Sequence, residues 1–173
     1  MTPSRLLAWV LLPAVAGSAC GYHLAGRGSV LPEHVRTIAV PVFENRTSEP
    51  DIAQRLTERV VDQFISRGGL RATSEATDAD ARLEGAVTQY RSFPVVVGAD
   101  GLATRYEIQL QIEAKLLDLR TEQVLWSDDH FVFRAQYDVP QDPTRYFNQS
   151  IIGIERVSEE AARSVVATIL EGF

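Results

Sequence analysis

The chain has 173 residues, a hydrophobic fraction of 45% and a formal net charge of −6. That suits one globular domain around one core. The acidic balance argues against nucleic acid and against electrostatic attraction to an anionic membrane surface, and one cysteine excludes an internal disulfide framework.

The first stretch sets the compartment. Arg5 precedes the apolar run Leu6 to Val15, and Ala16-Gly17-Ser18-Ala19 leads to the lone Cys20. A short charged start, an apolar middle and a small-residue exit read as an export signal over residues 1–19. The run is short for a spanning helix, and Pro13 interrupts it. Small residues directly before a cysteine mark a bacterial lipoprotein signal, in which Cys20 becomes the acylated, palmitate-type N-terminus. Gly17 departs from the leucine usual at its position. Ordinary cleavage after Ala19 is the alternative, and would leave a lone thiol in an oxidising compartment. One acyl chain holds a protein marginally; two or more hold it permanently. Gly21, in place of the aspartate of inner-membrane retention, points to the outer membrane.

Residues 20–35 read as the lipidated cysteine and a glycine-rich tether, and residues 36–173 as a single domain. His23 in the tether stands alone as a metal ligand. The first strand runs Thr37 to Phe43, with Ile38, Val40 and Val42 on one face and Pro41 needing an edge or a bulge. A polar turn follows, with Ser48 or Glu49 flanking a helix start and Pro50 in its first turn. Ile52, Leu56, Val60 and Phe64 recur at i+4; their burial contributes roughly 6–12 kcal/mol as an upper figure. Gly68-Gly69 stops that helix. Leu70 to Thr73 is a candidate short strand outside the main set.

The second main strand runs from about Ala81 to Ser92, with Leu83, Gly85 and Val87 on one face. Pro94 discourages its continuation, and Asp100-Gly101 signals a turn, giving a hairpin with an apolar tip, Phe93 to Val97. Tyr106, Ile108, Leu110, Ile112, Ala114 and Leu116 then alternate with a polar row from Arg105 to Lys115, so one face meets a core and the other water. The last strand, Val124 to about Tyr137, loses its alternation near Asp128-Asp129, where a bulge is expected. A long helix carrying Ile154, Val157, Ala161, Val165 and Ile169 closes the chain, with Gly172 as its stop. The expected fold is α+β: two helices on one face of a four-stranded mixed sheet, in the order β-α-β-β-β-α.

Residues with catalytic potential are sparse. There is no phosphate loop or nucleophile elbow, and His23, His34 and His130 lie far apart. Asp128-Asp129-His130 is the one local cluster of metal-ligand types, and a polar bulge explains it as well. The chain is read as non-enzymatic, without cofactor or metal. Arg91 and Arg105 flank the apolar tip, and with Arg145 they are candidates for phosphate contact on an acylated ligand. Pairing with neighbouring carboxylates such as Glu107 is the competing role.

In this order the pieces resemble the LptE family of outer-membrane lipopolysaccharide-assembly lipoproteins. The matching stretches are Cys20 to Leu24, Leu31 to Thr47, Leu83 to Tyr90, Ala103 to Tyr106, Val124 to Trp126, Tyr137 to Val139 and Asp142-Pro143. The first strand and helix also resemble other envelope lipoproteins. The resemblance implies two helices on a four-stranded sheet. It also implies residence in the lumen of a large outer-membrane β-barrel of the LptD type, assisting lipopolysaccharide insertion into the outer leaflet. Family members bind lipopolysaccharide through basic residues near the strand-tip loops. The tip here has none, so Arg91, Arg105 and Arg145 are neighbours of that site. An envelope lipoprotein that scaffolds or activates a cell-wall synthesis enzyme is the alternative.

Overall fold

The computed structural model describes residues 31–139 and 143–171, the side chains of the second span from Gln149 onward. The expected signal, Cys20, the glycine-rich tether and the stop at Gly172 lie outside the described residues. The described elements are β1 (Thr37–Ala39), β2 (Glu44–Asn45), α1 (Ile52–Gly68), β3 (Arg71–Thr73), β4 (Ala81–Val97), β5 (Ala103–Asp118), β6 (Val124–Asp138) and α2 (Pro143–Glu171).

The sheet has six strands where four were expected. Its order is β3-β1-β4-β5-β6, with β2 also on β4. β1 lies parallel to both β3 and β4, and β4, β5 and β6 form the expected antiparallel meander. One extra strand comes from division. Ala39 pairs with Arg82 while Glu44 pairs with Ala86, so β1 and β2 are one interrupted strand that gains a residue around Pro41. The extra residue reverses the expected facing: Val42 is 66% exposed and Phe43 is buried. The Phe43 amide, taken out of the ladder, donates to Thr57 Oγ1 at 3.0 Å, and that hydroxyl donates to the Ala53 carbonyl at 2.7 Å. A buried polar group that the break would orphan is thereby satisfied from α1. The other extra strand is β3, held when Arg71 N donates to Arg36 O and Val40 N to Thr73 O.

Both helices lie on one face of the sheet. Ile52, Leu56, Val60 and Phe64 of α1 are buried, as are Ile154, Val157, Ala161, Val165 and Ile169 of α2. The start of α1 differs from expectation. Asn45 claims the preceding turn, accepting from Thr47 N and donating to Glu49 O, so the helix begins at Ile52 behind a left-handed Asp51. Gly69, also left-handed, ends it as expected. Glu155 of α2 bridges Arg55 and Arg59 near the α1 start, while Gly68 lies against Leu170 near the far end. The helices therefore run side by side in the same direction. Beneath them, Ile108, Leu110, Ile112, Ala114 and Leu116 of β5 form the floor of the core. No helix of the described residues is long and apolar enough to cross a membrane.

Several carboxylates are held below their ordinary range by partners that exist only in the fold. Hydrogen bonds from the Arg36 and Thr37 amides act on Asp80, the Lys115 ammonium on Glu84 and the Arg59 guanidinium on Glu155. Burial pushes Asp118 up, but the Arg120 and Thr121 amides, with His34, outweigh it. Glu49 goes the other way, raised by burial and by Asp51. Lowered carboxylates stabilise the fold above their unfolded values and lose that contribution as pH falls through their folded values. The melting temperature should therefore stay nearly level from pH 7 to about 5 and fall steeply below about 4, as thermal melts followed by circular dichroism would record. Glu49, which favours the protonated form in the fold, softens that fall. A melting temperature that rises on acidification below pH 4 would contradict these assignments.

Candidate functional site

The candidate functional surface is the face of the sheet that the helices leave open, together with the hairpin that extends it. β4 continues through Pro94 to Val97, longer than expected. The proline is tolerated because β2 pairs with β4 only as far as Val87, so beyond that point β4 is an edge strand. A Gly98 N to Leu102 O bond and Gly101 at φ +79° close the tip. Phe93, Val95, Val96, Val97 and Leu102 are exposed there, at 37–60%. An apolar hairpin end of this kind marks a contact surface.

The facing of Arg91 depends on a second irregularity. The β4–β5 register shifts between Val87 and Gln89, leaving Thr88 extra, and its hydroxyl donates to Gln111 O. Val87 therefore pairs with Ile112 on the helix side, while Gln89 and Arg91 pair with Gln111 and Gln109 on the open side. Arg134 of β6 completes the row Arg91-Gln109-Arg134. Among the described residues Arg91 forms no ion pair. Arg105 lies on the same face but donates through Nε to Asp138 Oδ1 at 2.7 Å. Arg145 falls in the first turn of α2, which follows the tip end of β6, and its side chain is outside the described residues. The structure thus brings Arg91 and Arg105 to one face, with only Arg91 unoccupied by a carboxylate.

Sequence reasoning missed Arg134 and the role of Glu107. Glu107 accepts from Gln136 Nε2 at 2.9 Å and lies 3.8 Å from Arg134 Nε, so it serves neither Arg91 nor Arg105. Only the β5–β6 register, invisible locally, identifies those partners.

Nearer the other end of the open face is a cleft of about 330 Å³ lined by Glu44, Arg46, Glu84, Glu113, Lys115 and Asp129. Its charges other than Asp129 are paired. Arg46 bridges Glu44 at 2.7 Å and also Glu113, while Lys115 meets Glu84 at 2.9 Å. The Arg46 hydrogen bond holds Glu44 below the usual carboxylate range. The expected bulge at Asp128-Asp129 is present, with Ile112 opposite Phe131 and Ala114 opposite Asp128. Asp128 Oδ1 accepts the His130 amide at 2.8 Å, so the trio caps a bulge. No metal-holding cluster of carboxylate, histidine or cysteine exists among the described residues.

A family model for lipopolysaccharide assembly, LptE, matches residues 35–169. The chain belongs to the LptE lipopolysaccharide-assembly family. Solved structures share the fold of this LptE-family chain at low identity. Rare lipoprotein B from Shewanella oneidensis is 13% identical with a TM-score of 0.53, covering 79% of this chain and 95% of that one. Lipoprotein B from Nitrosomonas europaea is 13% identical with a TM-score of 0.54, covering 88% and 92%. A PelC dodecamer from Paraburkholderia phytofirmans is 20% identical with a TM-score of 0.51, covering 79% and 89%. At these identities the likeness extends to the fold alone. No curated protein matches the chain.

Proposed function

We propose that this chain is a non-enzymatic outer-membrane lipoprotein, anchored through acylated Cys20. It sits in the lumen of a large lipopolysaccharide-export β-barrel, helps that barrel assemble, and assists lipopolysaccharide insertion into the outer leaflet. The observation that carries the reading is family membership across residues 35–169, joined to an open sheet face built from polar side chains. Gln109, Gln111, Glu113 and Lys115 suit a hydrated barrel lumen, where interior surfaces are polar. The apolar tip suits acyl chains or barrel wall, and Arg91, Arg105 and Arg145 suit the phosphates of lipopolysaccharide. The work is binding and positioning, and it needs no cofactor.

Photo-cross-linking in intact cells tests it. Probes at Gln109 and Gln111 on the open face and at Val96 on the tip should each yield one large, heat-modifiable adduct, because a barrel surrounds all of them. Adducts confined to periplasmic enzymes, or no adducts, would overturn the barrel reading and favour a scaffold for cell-wall synthesis.

A further inference from the structure

At the end of the domain opposite the hairpin tip lies a second pocket, of about 680 Å³. It forms where residues 31–36 enter the fold beside the α1–β3 corner. Its apolar wall is Leu31, Val35 and Leu70, and Arg36 and Arg71 line its rim. Arg67, exposed in the last turn of α1, adjoins the lining residue Gly68. Several arginines of this acidic chain face a carboxylate, as Arg46, Arg55 and Arg105 do. Among the described residues Arg36 and Arg71 of this pocket do not, and neither does the neighbouring Arg67. Arg71 is steadied by its Nε bond to Thr37 Oγ1 at 3.2 Å, and its Nη groups meet no hydrogen-bond partner among the described residues. The nearby Asp80 carboxylate is taken up by the amides of Arg36 and Thr37.

Two features oppose an anion there. Glu33 lines the pocket, and the carboxyl end of α1 contributes about half a negative charge. The two guanidinium groups of Arg36 and Arg71 outweigh both. At physiological ionic strength charges beyond about 8 Å are screened, so this local balance decides binding despite the net charge of the chain. Gly69, at φ +60° with nothing within 4 Å of where a Cβ would stand, leaves the mouth open.

We infer that this pocket binds the headgroup of an anionic glycerophospholipid, its phosphate on Arg36 and Arg71 and its first methylenes along Leu31 and Leu70. The guanidinium fork matches phosphate oxygens, and the apolar wall gives the acyl part a place out of water. The choice of a membrane lipid rests on the reading of Cys20 as the anchor. The eleven residue-to-residue steps from Cys20 to Leu31 span at most about 40 Å, which keeps this end of the domain within reach of the leaflet that holds the anchor.

The test uses the full chain extracted in neutral detergent and a photoactivatable phosphatidylglycerol, with adducts mapped by mass spectrometry. Adducts should concentrate on peptides containing residues 31–36 and 67–71. Arg36→Glu should lower their yield about tenfold and Arg36→Glu with Arg71→Gln further still, while Arg91→Glu leaves it unchanged. Glu33→Gln should raise the yield. Circular dichroism establishes that each variant is folded. Adducts spread evenly along the chain, or unaffected by Arg36→Glu, would overturn the site. Displacement by millimolar inorganic phosphate would reduce it to a simple anion site and overturn the lipid assignment. The mass of the membrane-extracted chain reports acylation of Cys20 separately, so failure of the anchor and failure of the pocket are distinguishable.

Discussion

Phe43→Ala should destabilise the domain by about 3–5 kcal/mol, the usual cost of emptying a buried aromatic site. A domain of this kind has only about 5–15 kcal/mol in total. The ring fills a place that Gly85 leaves vacant: a Cβ on Gly85 would stand 2.5 Å from Phe43 Cε2 and 2.7 Å from Cδ2. Gly85→Ala should therefore cost about 1–3 kcal/mol by overpacking, because the 3%-exposed ring has nowhere to retreat. The two changes are coupled. In the Phe43→Ala background the added methyl meets a cavity, so Gly85→Ala should become nearly neutral there. Urea melts of the four proteins measure the coupling as a double-mutant cycle. Additive effects would show that the ring does not rest on Gly85. The consequence reaches the open face, since Phe43 secures the segment from which Arg46, also bound to Glu44, reaches Glu113.

The second large effect is expected where α2 lies on the sheet. Gly153 approaches so closely that a Cβ would stand 2.6 Å from Tyr137 Cδ1 and 2.9 Å from Ile108 Cδ1. Alanine gains up to about 1 kcal/mol of helix propensity over glycine, but overpacking costs about 1–3 kcal/mol, so Gly153→Ala should destabilise on balance. Gly153→Leu should lift α2 from β5 and β6 and shift the urea midpoint far more, with loss of the near-ultraviolet signal of the Tyr106–Tyr137 stack, whose ring centroids are 5.8 Å apart. A Gly153→Leu protein with an unchanged midpoint would contradict this packing.

These two glycines show where local reading stops. Gly85 was legible as a residue on the inward face of a strand, and Gly153 lay one position before the apolar stripe of the last helix. Neither announces the ring that stands over it, because Phe43 and Tyr137 arrive from other elements. Arg105 was legible as an arginine beside an apolar tip, but its partner Asp138 is distant in sequence and becomes its neighbour only through the β5–β6 register. Arg36 and Arg71 each look like an ordinary solvated charge until the α1–β3 corner brings them to one pocket.

Periodicity along single elements therefore determined the class of fold, the face of β5 that enters the core, the buried stripes of both helices, the hairpin turn and the bulge in β6. Those features depend on contacts a few residues apart, which the order of apolar and polar side chains encodes directly. The ordered motifs also carried the family. The tertiary structure alone decided the six-strand count, the inward turn of Phe43 and the outward turn of Arg91. The strand count depends on β3 and on the break between β1 and β2; the two side-chain facings each depend on a single extra residue, around Pro41 or at Thr88, because one residue of slip in a period-two strand sends every later side chain to the opposite face.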